Sequence, residues 1–221
     1  MLNRIVAKKF KKETFSQCGE DIIVKFIFDN IIKIPHPTFI DIGANHPFDL
    51  NNTYLFYLNG STGINIDANT DSIELFNKHR KKDVNINIGI SDSIGELDFY
   101  KFKYSTYNTF DINEAEKQKH ALVEVRKIEV NTINFILEKY FNSVFPDFLS
   151  LDVEGLDLKI LKTIDFSKGP KVICVETIIN EGEFTYQNTE IIDFLISSGY
   201  LIHSSTLINT IFIQKEYIRL C

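Results

Sequence analysis

Thr38-Phe39-Ile40-Asp41-Ile42-Gly43-Ala44-Asn45 is a short apolar run that ends on a carboxylate beside a glycine. Far downstream, Asp147-Phe148-Leu149-Ser150-Leu151-Asp152-Val153-Glu154-Gly155 repeats the arrangement. Each reads as a strand that carries an acid at its carboxyl end. In an open parallel sheet, ligands sit outside those ends. Two such ends imply one site: the first strand holds a nucleotide-like cofactor and the second does chemistry beside it.

Working outward, the pattern alternates strand and helix. Glu20–Lys33 has apolar residues at helical spacing, stopped by Pro35 and Pro37. Phe39–Ile42 is a strand, Thr53–Leu58 a short helix, Gly63–Asp67 a strand, Asp71–Lys82 a helix and Val84–Ile90 a third strand. After a turn at Ser91–Gly95, Glu96–Lys103 and Val123–Val130 form a β-excursion. A helix capped by Asn131 or Thr132 runs through Tyr140. Phe148–Val153 is the fourth core strand, Leu156–Ile164 a helix, Lys171–Glu176 the fifth strand and Thr189–Ser197 a helix ending at Gly199. Tyr200–His203 and Asn209–Gln214, joined by a short connection, imply an antiparallel hairpin. Alternation implies an α/β fold: a mostly parallel sheet with helices on both faces. A sheet closed by an antiparallel hairpin is similar to the Rossmann-like layout of class I methyltransferases. A dinucleotide dehydrogenase sheet continues parallel instead.

The chain has 221 residues, 44% hydrophobic and 24% charged. That suffices for one domain over residues 1–221 with a full core, and no repeat or Pro/Gly/Ser linker divides it. A net charge of −6 argues against a nucleic-acid partner. Residues 1–15 form a basic arm with Arg4, Lys8, Lys9, Lys11 and Lys12. Cys18, Cys174 and Cys221 are odd in number and far apart, which speaks for reduced thiols and a cytoplasmic location rather than a disulfide framework or structural zinc. No apolar run has the length of a membrane span, and a homo-oligomer is compatible with the composition. Residues 103–120 lack a clear period and are expected to form a substrate loop. Its Tyr104, Tyr107 and Phe110 either stack on a sugar face or pack on their own core.

Gly43 allows a sharp turn at the first strand end. The G-x-G-x-x-G fingerprint is absent, and Pro47 follows where a further glycine would stand. A pyrophosphate needs several free N–H groups, and proline has none. S-adenosylmethionine fits better, since its sulfonium and amino-acid groups call for Asp41 and backbone carbonyls. The expected cofactor residues are Asp41, Gly43, Ala44 and Asn45 at the turn, Thr53 after it, Asp67, Ala68 and Asn69 at the second strand end, and Ser91 and Asp92 after the third. Asp67 would take both ribose hydroxyls. The other reading makes Asp67 the cap of the helix near Thr70 and Asp92 a turn residue.

The reacting groups are expected to be Asp152 and Glu176, on neighbouring strand ends, with His46 on the cofactor rim as a candidate base. Asp152 and Glu176 could hold Mg2+, which would orient a sugar diol and acidify its hydroxyl. Equally, a bare carboxylate could take the proton. Glu154 is expected either to cap the following helix or to pair with Lys159. His203 in the terminal hairpin reads as structural.

Taken together, several segments resemble the FkbM-like methyltransferase family. Ser16-Gln17-Cys18-Gly19-Glu20-Asp21 is similar to its S-Q-x-G-E-D opening, Phe39–Asn45 to its cofactor strand and turn, Gly63–Asn69 to its second strand, Leu149–Gly155 to its most distinctive motif, and Val175-Glu176 to its fifth strand end. Asp67 stands for the usual Glu, Ala68 for Pro and Asp157 for Glu, and His46-Pro47 replaces an Asp/Gly-rich turn. The resemblance implies S-adenosylmethionine-dependent O-methylation, often of sugars in bacterial surface polysaccharides. It implies a sugar, nucleotide-sugar or glycan acceptor, with Asp41, Gly43 and Asp67 at the cofactor and the Asp152 region beside the acceptor. The competing expectation is a non-catalytic cofactor-binding or scaffold domain, motivated by the Asn45-His46-Pro47 turn.

Overall fold

Two stretches of four residues, β1 (Phe39–Ile42) and β7 (Phe148–Leu151), are buried along their whole length and lie side by side in parallel. The computed structural model describes residues 11–181 and 184–218. Arg4, Lys8, Lys9 and Cys221 therefore lie outside the described residues. Around β1 and β7 are β2 (Gly63–Asp67), β3 (Val84–Asn87), β8 (Val172–Glu176), β11 (Tyr200–Ser205) and β12 (Asn209–Gln214). Their order is β11-β12-β8-β7-β1-β2-β3. All neighbours run parallel except β12, which is antiparallel to both β8 and β11. The terminal hairpin thus inserts its last strand next to β8, the layout expected from the element order.

Strand alternation divides the core into two layers. Ile40, Ile42, Leu149, Leu151, Ile173 and Val175 face one side. There they meet α5 (Ile133–Phe141), α6 (Asp157–Leu161) and α7 (Thr189–Ser197) through Ile136, Ile160 and Ile191. Phe39, Phe148, Val172 and Cys174 face the other. That layer packs on α1 (Glu20–Phe26) and α2 (Tyr54–Leu58) through Val24 and Phe56. Side-chain caps fix where helices begin: Asn69 for α3 (Thr70–His79), Thr132 for α5 and Asn188 for α7.

Several boundaries differ from the sequence expectation. The helix expected over Glu20–Lys33 is α-helical only to Phe26 and continues as a π-helix over Ile27–Ile32, ended by Lys33 in the left-handed region. The single strand expected over Val84–Ile90 is two. β3 belongs to the main sheet, whereas β4 (Gly89–Ile90) pairs with β6 (Leu122–Asn131), which also pairs with β5 (Gly95–Phe102). Residues 103–120 contain a 3₁₀ turn at Ser105–Tyr107 and α4 (Ile112–Lys117), capped by Asp111. An unforeseen hairpin, β9 (Ile178–Glu181) and β10 (Phe184–Gln187), follows β8. Among the described residues, no helix is long and apolar enough to cross a membrane.

Candidate functional site

The strand ends of β1, β2, β7 and β8 open into one cleft of about 850 Å³. Gly43, Asn45, Asp67 and Ala68 line it on the β1–β2 side; Asp152, Glu154 and Glu176 line it on the β7–β8 side. Residues of the 105–118 segment form a further wall, and Thr109 Oγ1 ties that segment to the Glu154 carbonyl at 2.7 Å.

The β1 turn is built around Gly43, whose φ is +77°. A Cβ there would overlap the backbone carbonyl of Asp152, so β1 and β7 approach this closely only with glycine between them. Asn45 follows with φ 53° and donates its N–H to Asp67 Oδ2 at 2.8 Å, while Asn69 N donates to Asp67 Oδ1 at 2.7 Å. Burial, and then the charge of Asp41, push the Asp67 carboxyl up to about 6, against these two hydrogen bonds. Each oxygen keeps room for a further donor.

Asp41 is elsewhere. It is 4% exposed and, by strand parity with Phe39, faces the α1–α2 layer. Asn51 Nδ2 and Thr53 Oγ1 donate to its Oδ2 at 3.1 and 2.9 Å. Burial raises its pKa, opposed by hydrogen bonds from Ser150, Thr53 and Asn51 and by the charge of Arg80. Arg80 is completely buried. It pairs with Asp83 at 2.8 Å and donates to Pro47 O, Asn51 Oδ1 and Thr53 Oγ1, with its guanidinium 4.6 Å from the Tyr57 ring centroid. Asp41 and Thr53 thus brace the turn from behind, and neither lines the cleft.

The remaining residues singled out from the sequence also stand off the cleft wall. Ala44 is buried, its carbonyl bonded to Asn51 Nδ2. Asn69 caps α3. Ser91 is buried and donates Oγ to Asp92 Oδ1, in an exposed turn. His46 Nδ1 accepts from Asp49 N at 3.0 Å, and the ring edge meets Phe48.

At the reacting side, β7 ends at Leu151, and Asp152 and Glu154 follow it in a turn. Glu154 takes φ 51° and Gly155 φ 104°, and both acids line the cleft. Asp152, Glu154 and Glu176 each offer a carboxylate oxygen within 4.8 Å of the others. Glu154 does not cap the following helix, which has no side-chain cap; Asp157, its first residue, instead accepts from Val153 N and Gly155 N in the preceding turn at 3.2 and 3.3 Å. Burial raises all three clustered carboxyls; Asp157 and Asp41 then repel Asp152, to about 7, against a hydrogen bond from Glu176, while the charge of Asp152 raises Glu154 and Glu176 further, Glu176 most. Three like charges so close cannot all ionise at neutral pH. Protons therefore remain in the cluster, with Asp152 the member that gives one up most readily. Asp152 Oδ1 has no hydrogen-bond partner among the described residues.

Sequence reasoning passed over Glu154 as a site residue by reading it as a helix cap or a partner of Lys159. It also gave no role to Arg80 or to Gln17, which lines the cleft from the N-terminal segment. The D-x-E-G spacing, with glycine marking a turn, was the available signal for Glu154.

A model of the methyltransferase FkbM domain matches residues 41–202. No curated protein sequence matches the chain. Among solved structures, PH1948 from Pyrococcus horikoshii, provisionally named an RNA methyltransferase, is similar at 11% identity and a TM-score of 0.44, over 89% of this chain and 82% of its own. TehB from Haemophilus influenzae is similar at 12% identity and a TM-score of 0.49, over 91% of this chain; this chain spans 64% of TehB. The family match runs from β1 into β11, takes in both acidic strand ends and covers well over half of the sequence: the chain belongs to the FkbM methyltransferase family.

Proposed function

We propose that the protein is an S-adenosylmethionine-dependent O-methyltransferase whose acceptor is a hydroxyl of a sugar or nucleotide sugar destined for bacterial surface polysaccharide. The observation that carries this reading is the convergence of Asp152, Glu154 and Glu176 on the wall of the cleft that Asp67 also lines. Family membership implies the cofactor, and the residues present suit it. Asp67 retains acceptor capacity for a ribose diol, and Ile88, Ile90 and Phe99 provide an apolar slot for a base. The acids favour a sulfonium and an ammonium group. When bound, the cofactor supplies an electrophilic methyl group.

The protein's own contribution is alignment and proton removal. Asp152, with a pKa near 7, is matched to accept a hydroxyl proton at neutral pH. Glu176 stays protonated next to it and donates a hydrogen bond to the Asp152 carboxylate. Asn108, Asn113 and Gln118 on the 105–118 wall offer donors and acceptors to the other hydroxyls of a sugar, which supports a substrate-loop role for residues 103–120. No nucleophilic Ser or Cys is required.

A second reading places Mg2+ on Asp152 and Glu176, with Glu154 as a third oxygen ligand; the orphaned Asp152 Oδ1 favours it. The experiment is a screen of nucleotide sugars with labelled S-adenosylmethionine, followed by mass spectrometry of the product, with and without EDTA. Methyl ether formation that survives EDTA supports the carboxylate base. Loss restored by Mg2+ supports the metal. Transfer to nitrogen or carbon would refute O-methylation.

A further inference from the structure

The segment Ser16-Gln17-Cys18-Gly19-Glu20-Asp21 lies outside the family match, yet it is one of the most heavily anchored loops in the protein. Glu20 and Asp21 are both completely buried. Asp21 accepts from Thr14 Oγ1, Phe15 N, Ser16 Oγ and Ile22 N at 2.6 to 3.0 Å. Glu20 accepts from Cys18 N at 2.8 Å and, across the molecule, from Thr206 Oγ1 and Asn209 Nδ2 at 2.6 and 3.1 Å. Asn51 N donates to Phe15 O at 2.9 Å. The loop therefore spans from the β1 turn, through Asn51, to the start of β12, where Asn209 is registered with Glu176. Burying two carboxylates is costly unless each is fully bonded, as here. What this anchoring presents to the cleft is the exposed side chain of Gln17, whose carboxamide makes no hydrogen bond among the described residues.

The cleft needs such a group. An amino-acid cofactor brings an ammonium and a carboxylate. Acids on the wall suit the ammonium and repel the carboxylate. Helix and turn N–H groups usually receive an anion, but here most of those at the two strand ends are occupied. In the β1 turn, Gly43 N and Ala44 N donate to Ile66 O, Asn45 N to Asp67, and His46 N to Ala44 O; Pro47 has no N–H. At the β7 end, Asp152 N donates to Ile42 O, and Val153 N and Gly155 N to Asp157. Lys117 is engaged by both oxygens of Glu114. From these facts we infer that Gln17 is a cofactor-binding residue: its side-chain amide donates to the α-carboxylate of the methionine moiety, and the S-Q-x-G-E-D segment is the mount that holds it there. The inference rests on the S-adenosylmethionine reading above.

The test is calorimetric titration of the full chain and of Gln17→Ala with S-adenosylmethionine and with its decarboxylated analogue. Gln17 is exposed, so the variant should keep the unaltered melting temperature. A hydrogen bond to a charged group corresponds to about tenfold or more in affinity. S-adenosylmethionine binding should weaken by that factor, while the analogue changes by less than about twofold. Equal weakening of both ligands, or of neither, would overturn the assignment. If the unaltered chain bound neither ligand, the cofactor reading itself would fall, and the Gln17 assignment with it.

Discussion

Replacing Asp152 by Asn should make the protein more stable and less active at the same time. The Asp152 carboxyl is pushed from 3.8 to about 7 by burial first, then by the negative charges of Asp157 and Asp41. A carboxyl whose folded pKa lies above its unfolded value binds protons preferentially in the native state. Its contribution is therefore fully present below the unfolded pKa and is lost as pH rises through the folded one. At ~1.4 kcal/mol per pH unit, the interval from 3.8 to about 7 corresponds to ~4 kcal/mol for the group taken alone. Glu154 and Glu176 share the same repulsion, so relief at Asp152 is counted partly in their ionisation; about 2 kcal/mol is the gain expected from the neutral isostere above about pH 7.5. Urea unfolding at about pH 5 and about pH 8 measures it: the unaltered protein should lose stability across that interval, and Asp152→Asn should lose less. Over the same pH range, kcat of the variant should fall by about 10²–10⁴, the loss typical of a missing general base. A variant that is less stable than the parent at pH 8, or that keeps kcat within about threefold, would refute the assignment of Asp152 as a repelled, proton-accepting group.

Gly43→Ala should cost about 3 kcal/mol or more and abolish cofactor binding, because φ +77° disfavours a side chain and the added Cβ meets the backbone of Asp152, which no rotamer can move aside. A melting temperature within about 2 °C of the parent would contradict it. Arg80→Met should cost about 3–5 kcal/mol near neutral pH by stranding Asp83 in the interior and freeing the 47–53 loop from three hydrogen bonds. The deficit should shrink as pH falls and the stranded Asp83 takes up a proton; denaturant titrations that give a pH-independent deficit would point instead to lost packing alone.

What the sequence reveals of this molecule, and what it hides, follows from which interactions are local. β1 and β7 are legible because strands buried on both faces must be uninterrupted apolar runs. α7 is legible because Asn188 caps it and Gly199 follows. The split between β3 and β4 is not, since alternation of side chains carries no record of which strand receives the hydrogen bonds. Only Gly89, against which the Phe110 ring packs so closely that a Cβ would lie 2.6 Å from its Cζ, marks the change of sheet. α4 escapes because six residues with a single buried member, Ala115, have no period to detect. The same distinction governs the site. Strand ends locate Asp67, Asp152 and Glu176, which do line one cleft. Parity alone, however, decides that Asp41 turns from the cleft towards α2, and the turn that carries Glu154, φ 51°, lies beyond the end of β7, where strand parity does not say where a side chain goes. Gln17 is held at the cleft through Glu20, which accepts from residues almost two hundred positions away, Thr206 and Asn209. The short-range pattern thus specifies where the carboxylates are delivered. Whether they repel, share protons or receive a ligand is set by loop dihedrals and long-range anchors, and there a single residue such as Gly43 or Glu20 can redirect the chemistry without altering the fold's strand order.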